Sequence, residues 1–214
     1  LSRTYQLDSQ LPAAQVRADP DNQWLARHSR RKLDAESIRD SILAASGQLN
    51  RAPREGSDVS QLDVLINWPP GESAVIHRPS NHRSIYLCLL RHAPPPELSA
   101  FDLPDPTQPV GQRHATTTPP AALYLMNNKM VVEQSQHFAD RLLKEAPTDP
   151  VGRTRWAFRS TLQRAPSADE TARVIELVKQ LQNGHDSTSA ETAKTVWATV
   201  GQALLNTNEF SHID

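Results

Sequence analysis

Two aspartates in "FDLPDP", Asp102 and Asp105, are the closest this sequence comes to a reactive pair. Glycoside hydrolysis needs two carboxyl groups facing each other, about 5 Å apart in retaining enzymes and about 6.5 to 9.5 Å apart in inverting ones. Arg83 and Arg39 are the cations that such a site would use. An aspartate beside a proline is also ordinary turn chemistry. We favour the turn interpretation and keep a carbohydrate-processing hydrolase as the alternative.

The histidines and the single cysteine do not have the spacing of known metal or haem sites. Among the eight histidines no two are four residues apart, as a helical HExxH zinc site requires. His77 and His82 flank a predicted turn, but no cysteine or carboxylate stands at ligand spacing beside them. Cys88 is alone, which excludes a CxxC zinc site, a CxxCH haem attachment and an internal disulfide. We therefore expect no metal or cofactor in this segment.

A basic run at residues 27–32, "RHSRRK", could recognise an oxyanion through Arg30 and Arg31. Guanidinium groups make forked hydrogen bonds to phosphate and carboxylate oxygens. The chain has a formal net charge of -1 and a pI of about 6.8, so no overall field attracts nucleic acid. For Arg39 and Asp40 we favour a partly buried ion-pair network over ligand recognition, because they share a helix with core residues.

Four tryptophans offer flat apolar faces on which a sugar ring could stack. Trp24 and Trp197 fall on the predicted core faces of helices, and only Trp68, before a double proline, is a candidate for an exposed platform. Glycan binding without turnover is therefore a third hypothesis.

Most of the elements that must position these residues are predicted to be helices. Asp34 can cap a helix that Gly47 ends, Pro119 and Pro120 suit a first turn after Thr117 or Thr118, and "SADE" from Ser167 is a capping box. Together with apolar residues at helical spacing, these signals predict about six to seven helices. The predicted helices cover residues 19–29, 34–47, 119–126, 129–146, 151–164, 168–182 and 189–206.

The remaining segments lack helical periodicity. "RSIYLCLLR", residues 83–91, is apolar and β-rich and predicts a buried strand, paired with "AVIH" at residues 74–77. Eight prolines in residues 93–120 predict an extended segment that wraps over the surface, anchored by Phe101 and Leu103. The predicted fold is mainly α, an irregular helical domain with a small β element and this proline-rich wrap.

We expect a single domain over residues 1–214. Its predicted parts are a helical lobe at 19–50, a connection with a small sheet at 51–92, the wrap at 93–120, and a C-terminal helical lobe at 119–207. No apolar run approaches the roughly 20 residues that cross a bilayer. The chain starts at "LSRTYQLDS" without a methionine or a signal peptide, so we expect it to be part of a longer protein.

Several long motifs, in order along nearly the whole chain, carry a family resemblance. They are "SRTYQL", "RRKLDAESIRDSILAASGQL", "RSIYLCLLR", "FDLPDP", "GQRHATTTPPAALYLMNN" and "ALLNTNEF". On these motifs the sequence closely resembles domain of unknown function 1553, the planctomycete surface domain.

The resemblance implies the C-terminal part of a large exported planctomycete protein, in which a cytochrome-c-like haem domain often lies near the N-terminus. Export to the periplasm or cell surface, and neighbouring domains such as the haem domain as partners, are expectations that rest on this resemblance alone. Strong packing and capping signals, with no assembled reactive set, favour a non-catalytic interaction domain.

Overall fold

The computed structural model describes residues 2–3, 6–55, 77–91, 94–105, 107–111, 113, 119–183 and 189–213. These residues form eight α-helices and one two-stranded antiparallel sheet, so the fold is mainly α with a small β element, as the sequence predicts. The helices are α1 Ala13–Ala18, α2 Ala35–Ala45, α3 Pro96–Ser99, α4 Pro119–Asn127, α5 Lys129–Glu145, α6 Pro150–Leu162, α7 Ala168–Gln182 and α8 Ala190–Leu205. The strands are β1 Arg31–Lys32 and β2 His212–Ile213.

The core forms where α5 and α8 pack along each other, with α2 and α4 against α5 and with α6 and α7 beside α8. Its largest fully buried side chains include Phe138 of α5, Trp197 of α8 and Ile38 of α2. Trp197 is therefore a core residue, as its place in the helical pattern predicts. At the α5–α8 contact the Phe138 ring lies against Gly201, so the two helices approach closely there.

The predicted helix ends are confirmed at several places. The Asp34 carboxylate accepts a hydrogen bond from the Ser37 amide, and Ser167 and Glu170 form a complete capping box. Gly47, with φ of +77°, follows the end of α2 in the left-handed conformation that glycine adopts without strain. Helix α4 begins at Pro119 as predicted; Thr117 and Thr118, its predicted caps, lie outside the described residues.

The start of α6 differs in detail from the prediction. The sequence places Thr148 and Pro150 at the start of this helix; Pro150 does occupy its first turn, but the capping side chain is Asp149, which accepts from the Gly152 amide. The apolar spacing in residues 151–164 predicts Val151 and Phe158 on the inward face of this helix; Val151 is exposed, whereas Phe158 is buried. The buried face of this helix is partly polar, because Thr154 and Thr161 face the core. The spacing of its apolar residues alone therefore does not identify the buried face.

The predicted helix over residues 19–29 does not form, and the basic run that ends this region is not helical. The Asp19 carboxylate instead accepts from the backbone amides of Gln23 and Trp24, each at 2.8 Å, and closes a loop. Asn22 and Leu25 have positive φ, which no helix permits. Trp24 is 73% exposed, so its predicted place in the core is wrong.

The predicted strand at residues 83–91 is also wrong. Ser84–Tyr86 form a single 3₁₀ turn, Ile85 is exposed, and Cys88 is buried. The β element lies elsewhere: β1 pairs antiparallel with β2, close to the end of the chain. Of the predicted partner strand, residues 74–76 lie outside the described residues.

The described part of the proline-rich segment lies against the helical core. Phe101 is buried and Leu103 packs partly against the core, so both anchors are confirmed. Leu98, in the short helix α3, is fully buried as well. Within the residues that the structure describes, no helix has the length and apolar character needed to cross a membrane. The division of the chain into lobes stays a prediction.

Candidate functional site

The densest group of buried polar contacts surrounds Arg39 on α2. Arg39, Asp40, Ser84 and Glu97 form what we call the Arg39 cluster. The Arg39 side chain is 2% exposed, and its Nε donates to Oε2 of Glu97 at 2.5 Å. Its other nitrogens donate to the carbonyls of Ser80 and His82 and to the Ser84 hydroxyl. Every nitrogen of this guanidinium therefore has an acceptor within the protein.

Asp40 makes hydrogen bonds to Ser84, in the part of the chain that follows the undescribed segment. Its Oδ1 accepts from the Ser84 amide at 2.8 Å and from the Ser84 hydroxyl at 2.7 Å. Arg83 lies at the edge of the cluster, where its Nε is 3.9 Å from Oδ2 of Asp40 and its side chain is about half exposed. The interpretation of Arg39 and Asp40 as a partly buried network matches this geometry. Glu36 and Arg39, three residues apart, have the spacing that predicts a helical ion pair, but Glu36 pairs with Arg113 instead.

A cleft of about 500 Å³ opens beside the cluster. It is lined by Arg39 and Glu97, by His77 and His137, and by Gln134, whose side-chain oxygen accepts from the Ser46 hydroxyl at 2.7 Å. Its volume lies in the range of roughly 300 to 1,000 Å³ that is typical of small-molecule sites. The hydrogen bonds of the Arg39 guanidinium use four of its five N–H groups, so it offers a ligand at most one further donor, on Nη2.

Tyr124 on α4 lies near the same cluster. Burial, and secondarily the negative charge of Glu97, raises the pKa of its phenol, while the positive charge of Arg39 opposes that rise. Its hydroxyl is buried and has no hydrogen-bond partner among the described residues. Neither Glu97 nor Tyr124 has a signal in the sequence pattern, since their relation to Arg39 exists only in the folded chain.

The candidate catalytic pair is engaged in structural contacts. Asp102, which has a φ of +51°, pairs through Oδ2 with the Lys32 ammonium at 3.2 Å. Oδ1 of Asp105 accepts from both the amide and the hydroxyl of Thr107, at 2.8 and 2.7 Å. The second arrangement is a side-chain turn of the kind that aspartate commonly makes. The two carboxylates thus orient backbone and join segments.

The remaining predicted site residues are dispersed. Arg30 and Arg31 are exposed, and Arg31 lies in β1. Arg27, in the same basic run, donates to the carbonyls of Asp19 and Pro20. Trp68 lies outside the described residues. The structure therefore does not bring the predicted cations together around one ligand position within the part of the chain that it describes.

A second cleft, of about 710 Å³, lies between α2, α6 and the C-terminal segment and is lined by Arg51, Arg141 and Arg164. Arg164 donates to both oxygens of Glu170 and to both oxygens of Glu209. These contacts place two negative charges against one of the three cations, so the cleft has no large excess of positive charge. Within the described ranges, no three His, Cys, Asp or Glu side chains are grouped as a metal site would require.

These features define a mainly α domain whose described buried polar groups mostly fasten one chain segment to another. The family model described as PSD1, protein of unknown function (DUF1553), matches residues 1–178, and the chain belongs to this family. The resemblance seen in the sequence motifs is thereby confirmed. No curated protein and no solved structure matches the chain.

Proposed function

We propose that this chain is a non-catalytic interaction domain of a larger exported multidomain protein, and that it docks onto neighbouring domains of that protein. The observation that carries the proposal is the ion pair between Lys32 and Asp102. It engages Asp102, the best candidate for a catalytic carboxylate, and it fastens the basic run to the proline-rich segment. The hydrolase alternative would need Asp102 and Asp105 as a free pair, and the contacts of both give it no support.

The ion pair joins two elements that are far apart in the sequence, and we propose that their exposed residues form one docking surface. Arg31 is exposed beside Lys32, and residues 107–111 of the proline-rich segment are exposed as well. Arg113 adds a second tie, because its guanidinium makes a forked contact with both oxygens of Glu36 on α2. Proline-rich backbone is already extended, so it loses little conformational entropy when a partner covers it.

The chemistry of this surface indicates the kind of partner. An exposed apolar side chain, Val110, and an exposed guanidinium, Arg31, suit a neighbour with an apolar groove bordered by carboxylates. The proposed partners are neighbouring domains of the parent protein, with a haem-c-like domain among them.

The test is to measure binding between this chain and the rest of its parent protein, produced as separate polypeptides, by isothermal titration calorimetry. We expect Arg31→Glu to weaken binding about tenfold or more, because charge reversal at an interface replaces attraction by repulsion. Lys179→Glu, an exposed charge reversal on α7, is the matched control and should bind normally. Absence of binding by the unmodified pair, or equal binding by the two variants, would refute the proposed surface.

A specific observation favours glycan binding as a second candidate function. The platform hypothesis names Trp68, which lies outside the described residues. Among the residues that are described Trp24 is exposed, and the Asp19 contacts with the amides of Gln23 and Trp24 fix the loop that presents it. Retention on insoluble polysaccharides should fall on Trp24→Ala and stay unchanged on Ile85→Ala, which removes another exposed apolar side chain. Equal retention of the unmodified chain and Trp24→Ala would exclude Trp24 as the platform.

A further inference from the structure

The cleft of about 500 Å³ beside the Arg39 cluster has a lining that is partly apolar and partly polar, and we call it the Arg39 cleft. Its apolar lining consists mainly of Leu43, Pro79, Leu87, Pro95, Pro96 and Met130. Small-molecule sites have this composition, in which apolar groups hold the body of a ligand and a few polar groups fix its orientation. An occupant that fits the cleft would therefore have an apolar body and a polar head.

Gln134 on α5 leaves a hydrogen-bond donor unused in the lining of this cleft. It is 7% exposed, and its Oε1 accepts from the Ser46 hydroxyl at 2.7 Å. The Leu43 carbonyl lies 3.0 Å from the same hydroxyl but already accepts from the amides of Gln48 and Leu49. The single hydroxyl proton of Ser46 is therefore directed to Gln134, which fixes the orientation of its side-chain amide. The amide nitrogen then has no acceptor among the described residues, and a nearly buried donor of this kind needs one.

Arg39 contributes a second donor, together with a positive charge. Its side chain is 2% exposed and lines the same cleft. The fifth N–H group of the guanidinium, on Nη2, has no acceptor among the described residues. Since neither this group nor the amide nitrogen of Gln134 can accept a hydrogen bond, both select a ligand that carries acceptors.

The charges that line the cleft leave one cation over. Glu97 pairs with Arg39, and Glu133 lies 3.6 Å from Lys129. Arg78 is exposed and has no carboxylate partner in the part of the chain that the structure describes. Three cations thus face two carboxylates in the described lining, and a ligand with a single negative charge balances them.

The first residues of α5, Lys129 and Met130, also line the cleft, and the macrodipole of a helix favours an anion at this end. His77 and His137 add positive charge to the lining when they are protonated. A phosphate group carries about -1.5 to -2 charges at pH 7, more than the spare cation balances. We propose that the Arg39 cleft binds a small organic carboxylate, which accepts hydrogen bonds from Gln134 and Arg39 and rests its apolar body on the apolar lining.

This site lies apart from the surface that β1 and residues 107–111 contribute to docking, and none of those residues lines it. The inference therefore extends beyond the proposed function and does not depend on it.

The test is a titration of the ¹⁵N-labelled chain with benzoate, which joins one carboxylate to a flat apolar body, followed by nuclear magnetic resonance. We expect the side-chain amide signal of Gln134 to shift saturably, with a dissociation constant in the millimolar range that is usual for so small a ligand. Benzamide has the same shape without the charge. It should bind about fivefold more weakly or less, because hydrogen bonds to a charged acceptor are roughly twice as strong as neutral ones.

Two variants test the residues that carry the inference, with the backbone amides of residues 128–130 as the signals. Gln134→Glu keeps an oxygen for Ser46 but replaces the donor by a negative charge, so it should weaken benzoate binding about tenfold or more. Arg78→Gln removes the exposed cation without touching the core and should weaken binding about threefold. Arg17→Gln removes an exposed arginine of α1 that does not line the cleft, and this matched control should bind benzoate normally.

Three results would each overturn the proposal. They are the absence of a saturable shift at Gln134, equal binding of benzoate and benzamide, and equal binding of benzoate by Arg78→Gln and Arg17→Gln. Tighter binding of inorganic phosphate than of benzoate would likewise overturn the choice of a carboxylate. Circular dichroism checks that the variants fold, and Arg78→Gln decides the matter if Gln134→Glu does not. Arg31→Glu should bind benzoate normally, so failure of this inference and failure of the proposed docking surface can be told apart.

Discussion

Arg39 and Glu97, 58 residues apart in the chain, form an ion pair in which Nε of Arg39 donates to Oε2 of Glu97 at 2.5 Å. Arg39 is almost fully buried, while Glu97 keeps a quarter of its side chain exposed. The same guanidinium donates to the carbonyls of Ser80 and His82. One side chain thus fastens α2 to the chain at residues 80–84 and to the proline-rich segment.

Truncating Arg39 should be strongly destabilising. Arg39→Ala leaves Glu97 and two carbonyls without their donor, and removing one partner of a buried pair costs about 3 to 5 kcal/mol of the free energy of unfolding. Urea denaturation followed by circular dichroism measures this loss. Arg83→Ala is the control: its side chain is about half exposed, and such surface contacts are worth about 0 to 1 kcal/mol. Equal losses for the two variants would contradict a central role for Arg39.

How well the sequence predicts each part of this fold depends on how far apart along the chain the interacting residues lie. The starts of α2 and α7 follow from the capping side chains Asp34 and Ser167, which bind amides three residues further on. Such contacts are local, so the pattern reveals them. Glu97 as the partner of Arg39 has no local signal, because only the folded chain brings the two together.

The wrong strand prediction has the same origin. The apolar run at residues 83–91 resembles a strand, but Asp40 takes the Ser84 amide that a strand would offer to a neighbour. The actual strands are two residues long each, and β1 is made of Arg31 and Lys32, which have no β pattern. In that case a tertiary contact outweighed a local preference. The helix predicted from Asp19 fails for a local reason instead, because the carboxylate accepts from amides four and five residues further on and closes a loop.

Gly201→Ala should destabilise the contact between α5 and α8. A Cβ atom at this position would overlap the Phe138 ring, with Cε1 only 2.9 Å away. Overpacking of a core costs about 1 to 3 kcal/mol, which is comparable to or larger than the roughly 1 kcal/mol that alanine gains over glycine in a helix. Thermal unfolding should show a lower midpoint. Gly111→Ala, where a Cβ atom meets nothing within 4 Å, should leave the midpoint unchanged.

A smaller ring should relieve that overlap. Phe138→Leu in the Gly201→Ala background is expected to recover part of the loss, because the two positions are in direct contact and their effects are not additive. If the stability losses of the two single substitutions simply add in the double variant, the alanine at position 201 acts elsewhere.

Tyr124→Phe should stabilise the protein. The substitution removes a buried hydroxyl that has no partner among the described residues and keeps the edge-on contact with the Phe101 ring at 5.1 Å. An unsatisfied buried group costs about 1 to 3 kcal/mol, so we expect a gain of about 1 kcal/mol in urea denaturation. Since burial raises the pKa of this phenol, the variant should also lose one tyrosine ionisation that is shifted to high pH in an alkaline absorbance titration. A loss of stability would show that the hydroxyl is hydrogen-bonded.

Glu170 should make stability depend on pH in the acid range. Hydrogen bonds from Arg164, and more weakly from the Ser167 amide, lower the pKa of its carboxyl to about 2, against an ordinary value of 4.5. Because the folded state holds the proton less tightly than the unfolded state, this contribution is complete above pH 4.5 and is lost as the pH falls towards 2. Arg164 and Glu170 are both about one-third exposed, so screening reduces the contribution to about 1 kcal/mol.

Glu170→Gln tests this dependence without removing the helix cap, since glutamine also completes a capping box. At neutral pH we expect the variant to have the lower free energy of unfolding by about 1 kcal/mol. The difference from the unmodified chain should shrink steadily between pH 4.5 and about 2, where the native carboxyl takes up its proton. Glu176→Gln, which neutralises an exposed carboxylate on the same helix, is the matched control. The free energies of unfolding of Glu170→Gln and of the unmodified chain could instead differ by a constant amount over this range. That result would mean that the contact between Arg164 and residue 170 stabilises the fold by its geometry and not by charge.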